Sequence, residues 1–366
     1  MNVEDLLYIY GAVCVSMIIF NVIYNITLSR RGSSLEKRCQ KIKKQLDVQL
    51  KIIENNGKVS ENHLKYLWRI LRHINYLAAF DRVLYELLPE QNEVKKEYIR
   101  QIKPVIMYMS TLYLKKESIQ MSYFAYFLSR CEIRNRQQFD TIQDILLEYV
   151  KKDNLYCRCN ALQALYNFGD EEHIAQALIV QDDGRVFLHE KILTEGLLSF
   201  SGEHSVLIRR LWSEFEDFSI HTQLAILNYI RFYSGDYKKE MLAIMLNEDM
   251  DKELRLSAVR YFGKYYYEPA LNTLLAFTMD KNQDKWEYAT VATSSLSIYD
   301  GEEVIEVLKE ALCSSNWFIR YSAAQSLTSH KIDYSDLTDI VSGNDRYARE
   351  MMTYRLESQK LQNAEV

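Results

Sequence analysis

Proline occurs three times and glycine eleven times in 366 residues. Enzymes built on parallel sheets generally need more turn chemistry than that, so the scarcity argues for long, uninterrupted helices. Cysteine is present but unpatterned. Cys14, Cys39, Cys131, Cys157, Cys159 and Cys313 form no CxxC, and Cys157 and Cys159 fall on different faces of a predicted helix. No disulfide framework or sulfur-rich zinc site emerges, and scattered free thiols suit a reducing compartment. Positive charge is also in deficit: 45 Lys and Arg face 50 Asp and Glu, a net charge of -5. Phosphate neutralisation needs clustered cations, so nucleic acid is not the expected partner. None of GxxxxGK[ST], GxGxxG, HExxH or GxSxG occurs. No catalytic residue, metal ligand or cofactor is therefore assigned. What the chain does have is 48% hydrophobic residues and 27 tyrosines, which excludes wholesale disorder.

The segment from Leu6 to Leu28, LLYIYGAVCVSMIIFNVIYNITL, contains no charge. Its 23 residues would make a helix of about 34 Å, so a single transmembrane helix over 6–28 is expected. The acidic start (Glu4, Asp5) and the lack of an A-x-A cleavage pattern favour an uncleaved anchor over a signal peptide. Arg30, Arg31, Lys37, Arg38, Lys41, Lys43 and Lys44 follow, a local +6 with Glu36, and leave the remaining chain at -11. The positive-inside rule then places residues 1–5 outside and the long C-terminal part in the cytoplasm. Gly11, Cys14, Ile18, Asn21 and Asn25 share one helix face. With their amides in lipid, Gly11, Asn21 and Asn25 are expected to contact another helix, in a homo- or hetero-association. Residues 29–58 read as a basic amphipathic stalk able to touch anionic lipid.

Residues 60–135 carry helical periodicity without a clean period, as divergent or capping repeats do. Within them, Pro89 is expected to close the first helical run. From about 138 to 356 the chain repeats itself. Helix starts align at Asn154, Arg185, Asp217, Asp251, Asp284, Asn316 and Asp345, spaced 29 to 34 residues apart. Asp or Asn at such a position caps free helix N–H groups. Four positions on stand Arg158, His189, His221, Arg255, Tyr288, Arg320 and Arg349; seven on stand Ala161, Ile192, Leu224, Ala258, Val291, Ala323 and Met352. A further apolar position follows at Leu165, Leu197, Leu227, Phe262, Leu296 and Leu327, with no trusted counterpart in the last repeat. Gly169, Gly202, Gly235 and Gly301 fall at multiples of 33, where left-handed helix ends are expected. Second helices are expected at 173–181, 206–215, 237–246, 270–279 and 302–312, and a polar tail at 357–366. Helix–turn–helix units of this size must stack to bury their apolar faces.

On these residues the sequence resembles the HEAT-repeat superfamily. Asp251-Lys-Glu-Leu-Arg255 with Ala258 is similar to its Asp-x-x-Val-Arg-x-x-Ala signature, as are Asn316 to Arg320 with Ala323 and Asn154 to Arg158 with Ala161. Asp345 and Arg349 match in part, and His189, His221 and Tyr288 depart at the Arg position. The resemblance implies an all-α solenoid with an Asp–Arg ladder between repeats. Asn154, Arg158, Asp251, Arg255, Asn316, Arg320, Asp345 and Arg349 would then be structural.

HEAT-fold hydroxylases that hold iron use several His-Glu pairs, whereas this chain has only His189-Glu190. A metal pair at His189 and His221 is weighed against replacement of the ladder Arg, and the repeat position favours the latter. Tyr265-Tyr266-Tyr267 and Trp317-Phe318 stand near repeat junctions, where aromatics either pack between repeats or bind protein. The expected function is a membrane-anchored, non-enzymatic scaffold or adaptor for a protein partner, fitting for example a bacterial envelope assembly. The alternative is a repeat-fold enzyme or lyase at the membrane surface.

Overall fold

The computed structural model describes residues 3–364 except 56, 88–92, 132–140, 185–186, 331 and 333–335, and side chains except also 3–7, 9, 27–29, 31, 87 and 359–364. Pro89, Arg185 and the side chains of Glu4, Asp5 and Arg31 thus lie outside the description. Among the described residues the regular structure is all helical. The chain folds as two compact units, Met1–Val186 and Phe187–Val366.

Unit 1 contains α1 (Val3–Glu54), α2 (Glu61–Ile70), α3 (Ile74–Arg82), α4 (Glu93–Tyr113), α5 (Ser118–Arg130), α6 (Thr141–Val150), α7 (Leu155–Phe168) and α8 (Glu171–Asp182). The first helix overturns the expected membrane topology. Among the described residues no helix is long and apolar enough to cross a membrane. Residues 6–28 are not a separate element. They open a continuous helix of 52 residues whose second half is highly charged, and their own sequence is diluted by Tyr8, Tyr10, Asn21, Tyr24 and Asn25. The single-pass anchor, the outside N-terminus and the lipid contacts are accordingly withdrawn.

The expected stalk is likewise a packed element. Cys39, Ile42, Leu46, Gln49 and Ile53 are buried at alternating spacings of three and four, a seam that docks on α3 and α4. Lys37, Lys41, Lys43 and Lys44 are exposed, as is Arg30. Arg38 lies over the Tyr76 ring at 5.3 Å, and Glu36 meets Arg82 at 3.7 Å. Asn25 Nδ2 donates to Asn21 Oδ1 at 2.8 Å and to Asn21 O at 2.9 Å, which uses the Asn25 amide hydrogens within one turn. Gly11 is exposed, with open space where a Cβ would stand.

Unit 2 contains α9 (Glu190–Leu198), α10 (His204–Trp212), α11 (Ile220–Tyr233), α12 (Lys238–Leu246), α13 (Lys252–Phe262), α14 (Leu271–Met279), α15 (Trp286–Ser295), α16 (Glu302–Leu312), α17 (Trp317–Ser329), α18 (Thr338–Val341) and α19 (Arg346–Ala364). The odd-numbered helices α9, α11, α13, α15, α17 and α19 pack side by side, each on the next. α12, α14 and α16 fill the spaces against α13, α15 and α17.

The capping chemistry shows why the helices start where they do. Asn154 Oδ1 accepts from Cys157 N, Asp251 Oδ1 from Glu253 N, Asn316 Oδ1 from Phe318 N, and Asp345 Oδ1 from Tyr347 N and Ala348 N, all at 2.8–3.0 Å. At three aligned positions the start lies elsewhere; α9, for one, is capped by His189, four positions past Arg185. α11 is capped by Ser219 rather than Asp217, and Asp284 sits in a short turn that precedes α15. In the last repeat Leu356, eleven positions past Asp345, is buried beside Met352 and Ala348, so α19 has a full apolar face. The helix runs on through the expected tail to Ala364.

The glycine expectation is corrected too. Among the described residues only Gly301 has a positive φ, at 140°. Gly169 is extended (φ -73°, ψ 169°), and a Cβ there would stand 2.6 Å from Leu165 O. Close approach, rather than handedness, explains glycine at that turn.

Candidate interaction surface

Three of the four signature arginines, Arg158, Arg255 and Arg349, meet backbone carbonyls rather than the aspartates, whereas Arg320 lies over the Tyr347 ring. Arg158 is 2% exposed; its Nε donates to Lys152 O at 2.6 Å and its guanidinium to Gln181 Oε1 at 3.1 Å. Arg255 Nε donates to Met245 O at 3.2 Å, and Arg349 to Gly343 O at 2.8 Å. Arg158 and Arg349 thus tie their helices to the loop before them, and Arg255 ties α13 to the last turn of α12.

The links between neighbouring repeats are made by hydroxyl groups. In unit 2, Thr194 of α9 donates to Ala225 O of α11 (3.3 Å), Ser295 of α15 to Val259 O of α13 (2.9 Å), and Ser326 of α17 to Thr293 O of α15 (2.8 Å). At the helix ends, Tyr261 Oη accepts from Tyr237 N and donates to Ser234 O, and Tyr299 Oη bonds the amide and carbonyl of Tyr267. Unit 1 repeats the device: Tyr113 donates to Leu71 O at 2.8 Å and Tyr149 to Ser110 O at 2.7 Å. Burial pushes the Tyr113, Tyr149, Tyr261 and Tyr299 hydroxyls upward, the last to about 12, so they stay protonated donors. These rungs use four of the 27 tyrosines. Tyr265, Tyr266 and Tyr267 belong to the same packing: their rings lie on Tyr261, Tyr299 and Phe262 at centroid distances of 4.8–6.0 Å.

His189 caps α9, its Nδ1 accepting from Lys191 N at 3.2 Å. It also lies 3.3 Å from Glu190 Oε2, and His221 reaches the same oxygen at 3.8 Å. Among the described residues no group of three or more His, Cys, Asp or Glu is placed to hold a metal ion. Cys39, Cys131 and Cys157 are buried, and burial pushes their thiols up, to about 12 for Cys131 and Cys157, which leaves them poor nucleophiles.

One cluster of exposed aromatic side chains lies around the start of α17. Trp317 and Phe318 are both half exposed and project to different sides. Phe318 stacks on Trp286 at 5.2 Å, beside a cleft of about 700 Å³ between the turns that precede α15 and α17. The cleft's charges are matched in pairs, Lys281 with Glu310 at 3.2 Å and Lys285 with Asp280 at 3.7 Å. Trp317 stacks on Tyr321 at 5.1 Å and faces a second groove, of about 540 Å³, whose other wall is α19. Tyr347 and Tyr354 of α19 are 65% and 71% exposed there. The guanidinium of Arg320 lies over Tyr347 at 5.0 Å and that of Arg355 over Tyr321 at 4.5 Å. Trp317-Phe318 was visible in the sequence as an aromatic pair. Tyr354 and Arg355 carry no comparable signal, because the aligned positions of the last repeat end at Met352.

Residues 239–328, which span α12 to α17, match the family described as HEAT repeats. No curated protein matches the chain. With the all-helical fold, the match supports a HEAT-like repeat protein whose architecture fits an α-solenoid. HEAT repeats generally serve as protein-interaction scaffolds, so a protein partner is the coarse functional conclusion.

Proposed function

We propose that the chain is a non-enzymatic scaffold that binds a protein through the aromatic surface at α17 and α19. The observation that carries this reading is the half-exposed set Trp317, Tyr321, Tyr347 and Tyr354 lining one groove within the repeat-bearing unit. Tryptophan, tyrosine and arginine are the side chains that dominate protein–protein binding energy, and here they cluster. A second surface supports the same class of function. On α1, residues 13–26 expose Val13, Met17, Ile19, Phe20, Val22 and Ile23, apolar area that a partner's helix would cover. Gly11, Asn21 and Asn25 are the proposed contacts there.

The test is affinity capture of the full chain from its own cells, quantified against a Trp317→Ser/Tyr354→Ser variant and a chain lacking residues 1–30. The scaffold reading expects a stoichiometric protein that the first variant loses. Recovery of no stoichiometric protein by any of the three chains would remove it.

A further inference from the structure

The groove between α17 and α19 carries a charge pattern that its aromatic walls alone do not explain. Trp317, Arg320 and Tyr321 occupy positions i, i+3 and i+4 of α17, one face of the helix. Tyr347, Glu350, Met351, Tyr354 and Arg355 occupy the matching stripe of α19 at i, i+3, i+4, i+7 and i+8. The single carboxylate on these walls is engaged, since Glu350 Oε1 accepts from Arg346 Nε at 2.7 Å. Among the described residues neither Arg320 nor Arg355 meets a carboxylate. Arg320 Nε is buried and has no hydrogen-bond partner there. Two guanidinium groups therefore lie over aromatic rings in a protein whose net charge is -5; the buried Arg320 Nε is out of a ligand's reach, and the terminal nitrogens of Arg320 and the guanidinium of Arg355 are what the groove offers.

Stacking fixes the plane of a guanidinium and leaves its edge free, and that edge matches a carboxylate with two parallel hydrogen bonds. The neighbouring cleft at Trp286 lacks this feature because its lysines are already paired. We infer that the α17–α19 groove binds an acidic segment of a partner protein, with Asp or Glu side chains on Arg320 and Arg355 and an apolar side chain between Trp317 and Tyr354. This inference rests on the scaffold reading and names the partner's chemistry.

Fluorescence anisotropy of the full-length protein with labelled twelve-residue peptides tests it, one peptide repeating Glu-Glu-Leu and the other Lys-Lys-Leu. Tryptophan emission, compared between the full-length protein and its Trp317→Phe variant because Trp68, Trp212 and Trp286 also contribute, serves as a second signal. The expected result is binding of the Glu peptide at least about tenfold tighter than the Lys peptide at 0.15 M salt. Arg355→Gln should lower that affinity about tenfold, as loss of one charged hydrogen-bond pair does. Arg355 is partly exposed and forms no ion pair among the described residues, so this variant is expected to keep the fold; Arg320→Gln should act in the same direction. Equal binding of the two peptides, no binding of the Glu peptide, or unchanged affinity in Arg355→Gln overturns the inference. So does self-association in sedimentation that Arg355→Gln abolishes, because a second copy would then be the occupant. Capture of the stoichiometric partner separates the two readings. A partner retained by Arg320→Gln/Arg355→Gln leaves the scaffold standing and removes the groove assignment, whereas no partner for any chain removes the scaffold.

Discussion

Acidification should destabilise unit 1 through His63 well before its carboxylates are all protonated. His63 lies between α2 and α4, 3% exposed, with Nε2 2.8 Å from the buried Tyr98 hydroxyl. Its Nδ1 is buried with no hydrogen-bond partner among the described residues. Burial lowers its pKa from 6.5 to about 4, because the imidazolium would lose its hydration with no carboxylate to replace it. The unfolded chain takes up the proton near pH 6.5, while the folded protein resists until about 4. The contribution is thus complete above pH 6.5 and is lost as pH falls through that window. Converting the full shift gives about 3 kcal/mol, of which about 2 is already lost at pH 5. The assay is urea denaturation of wild type and His63→Gln from pH 8 to 4.5, with the histidine resonances followed by NMR. Wild type should lose about 2 kcal/mol more than the variant between pH 7.5 and 5. A His63 resonance that titrates near 6.5, or equal pH slopes for the two proteins, would refute the reasoning.

Other perturbations follow from the same physics. His173 of α8 donates toward Asp170 (2.8 Å) and Asp144 of α6 (3.3 Å). Burial lowers its pKa, but the bonds and charges of Asp170 and then Asp144 outweigh that and raise it. Its stabilising effect is therefore full below about pH 6.5 and lost as pH rises through the folded value. His173→Gln should cost more stability at pH 5.5 than at pH 8.5 in parallel urea titrations, and an equal cost at both would contradict this. Ser295→Ala and Ser326→Ala should each destabilise unit 2 by about 1 kcal/mol, measured by thermal melts, because each removes one buried rung. Arg158→Ala should cost about 3 kcal/mol or more, since it leaves a cavity and strips Lys152 O and Gln181 Oε1 of their donor. Gly301→Ala should cost about 1 kcal/mol or more at a backbone conformation that side chains rarely adopt, which the same melts would register.

The period near 33 residues was legible because four of the repeats spend an Asp or Asn on capping, at Asn154, Asp251, Asn316 and Asp345. Ser219 was passed over because a serine cap and a nearby Asp217 look equivalent in sequence. The rungs were not legible at all. A Ser or Thr inside a helix reads as a mild defect, and only packing shows that Ser295 or Ser326 faces a neighbouring carbonyl. The early apolar run misled for a related reason: hydropathy has no term for what a stretch is continuous with, and residues 6–28 open a helix that extends to Glu54. In the candidate groove, Trp317 was visible as an aromatic near a junction. The lack of a partner for Arg320 was not, because an Arg at that position predicts a structural bond and only the geometry leaves its Nε unpartnered among the described residues.

The length of α1 has a mechanical consequence. At about 1.5 Å per residue its 52 residues extend about 78 Å, and only the later part is held by the seam at Cys39, Ile42, Leu46, Gln49 and Ile53. The exposed portion from Tyr8 to Ile26 shares one hydrogen-bonded rod with that seam. Whatever grips the free portion acts as a hand on a lever, and rotation there is delivered to α3 and α4 without passing through a flexible joint. Gly32, the one glycine between grip and fulcrum, is where such a lever would bend first.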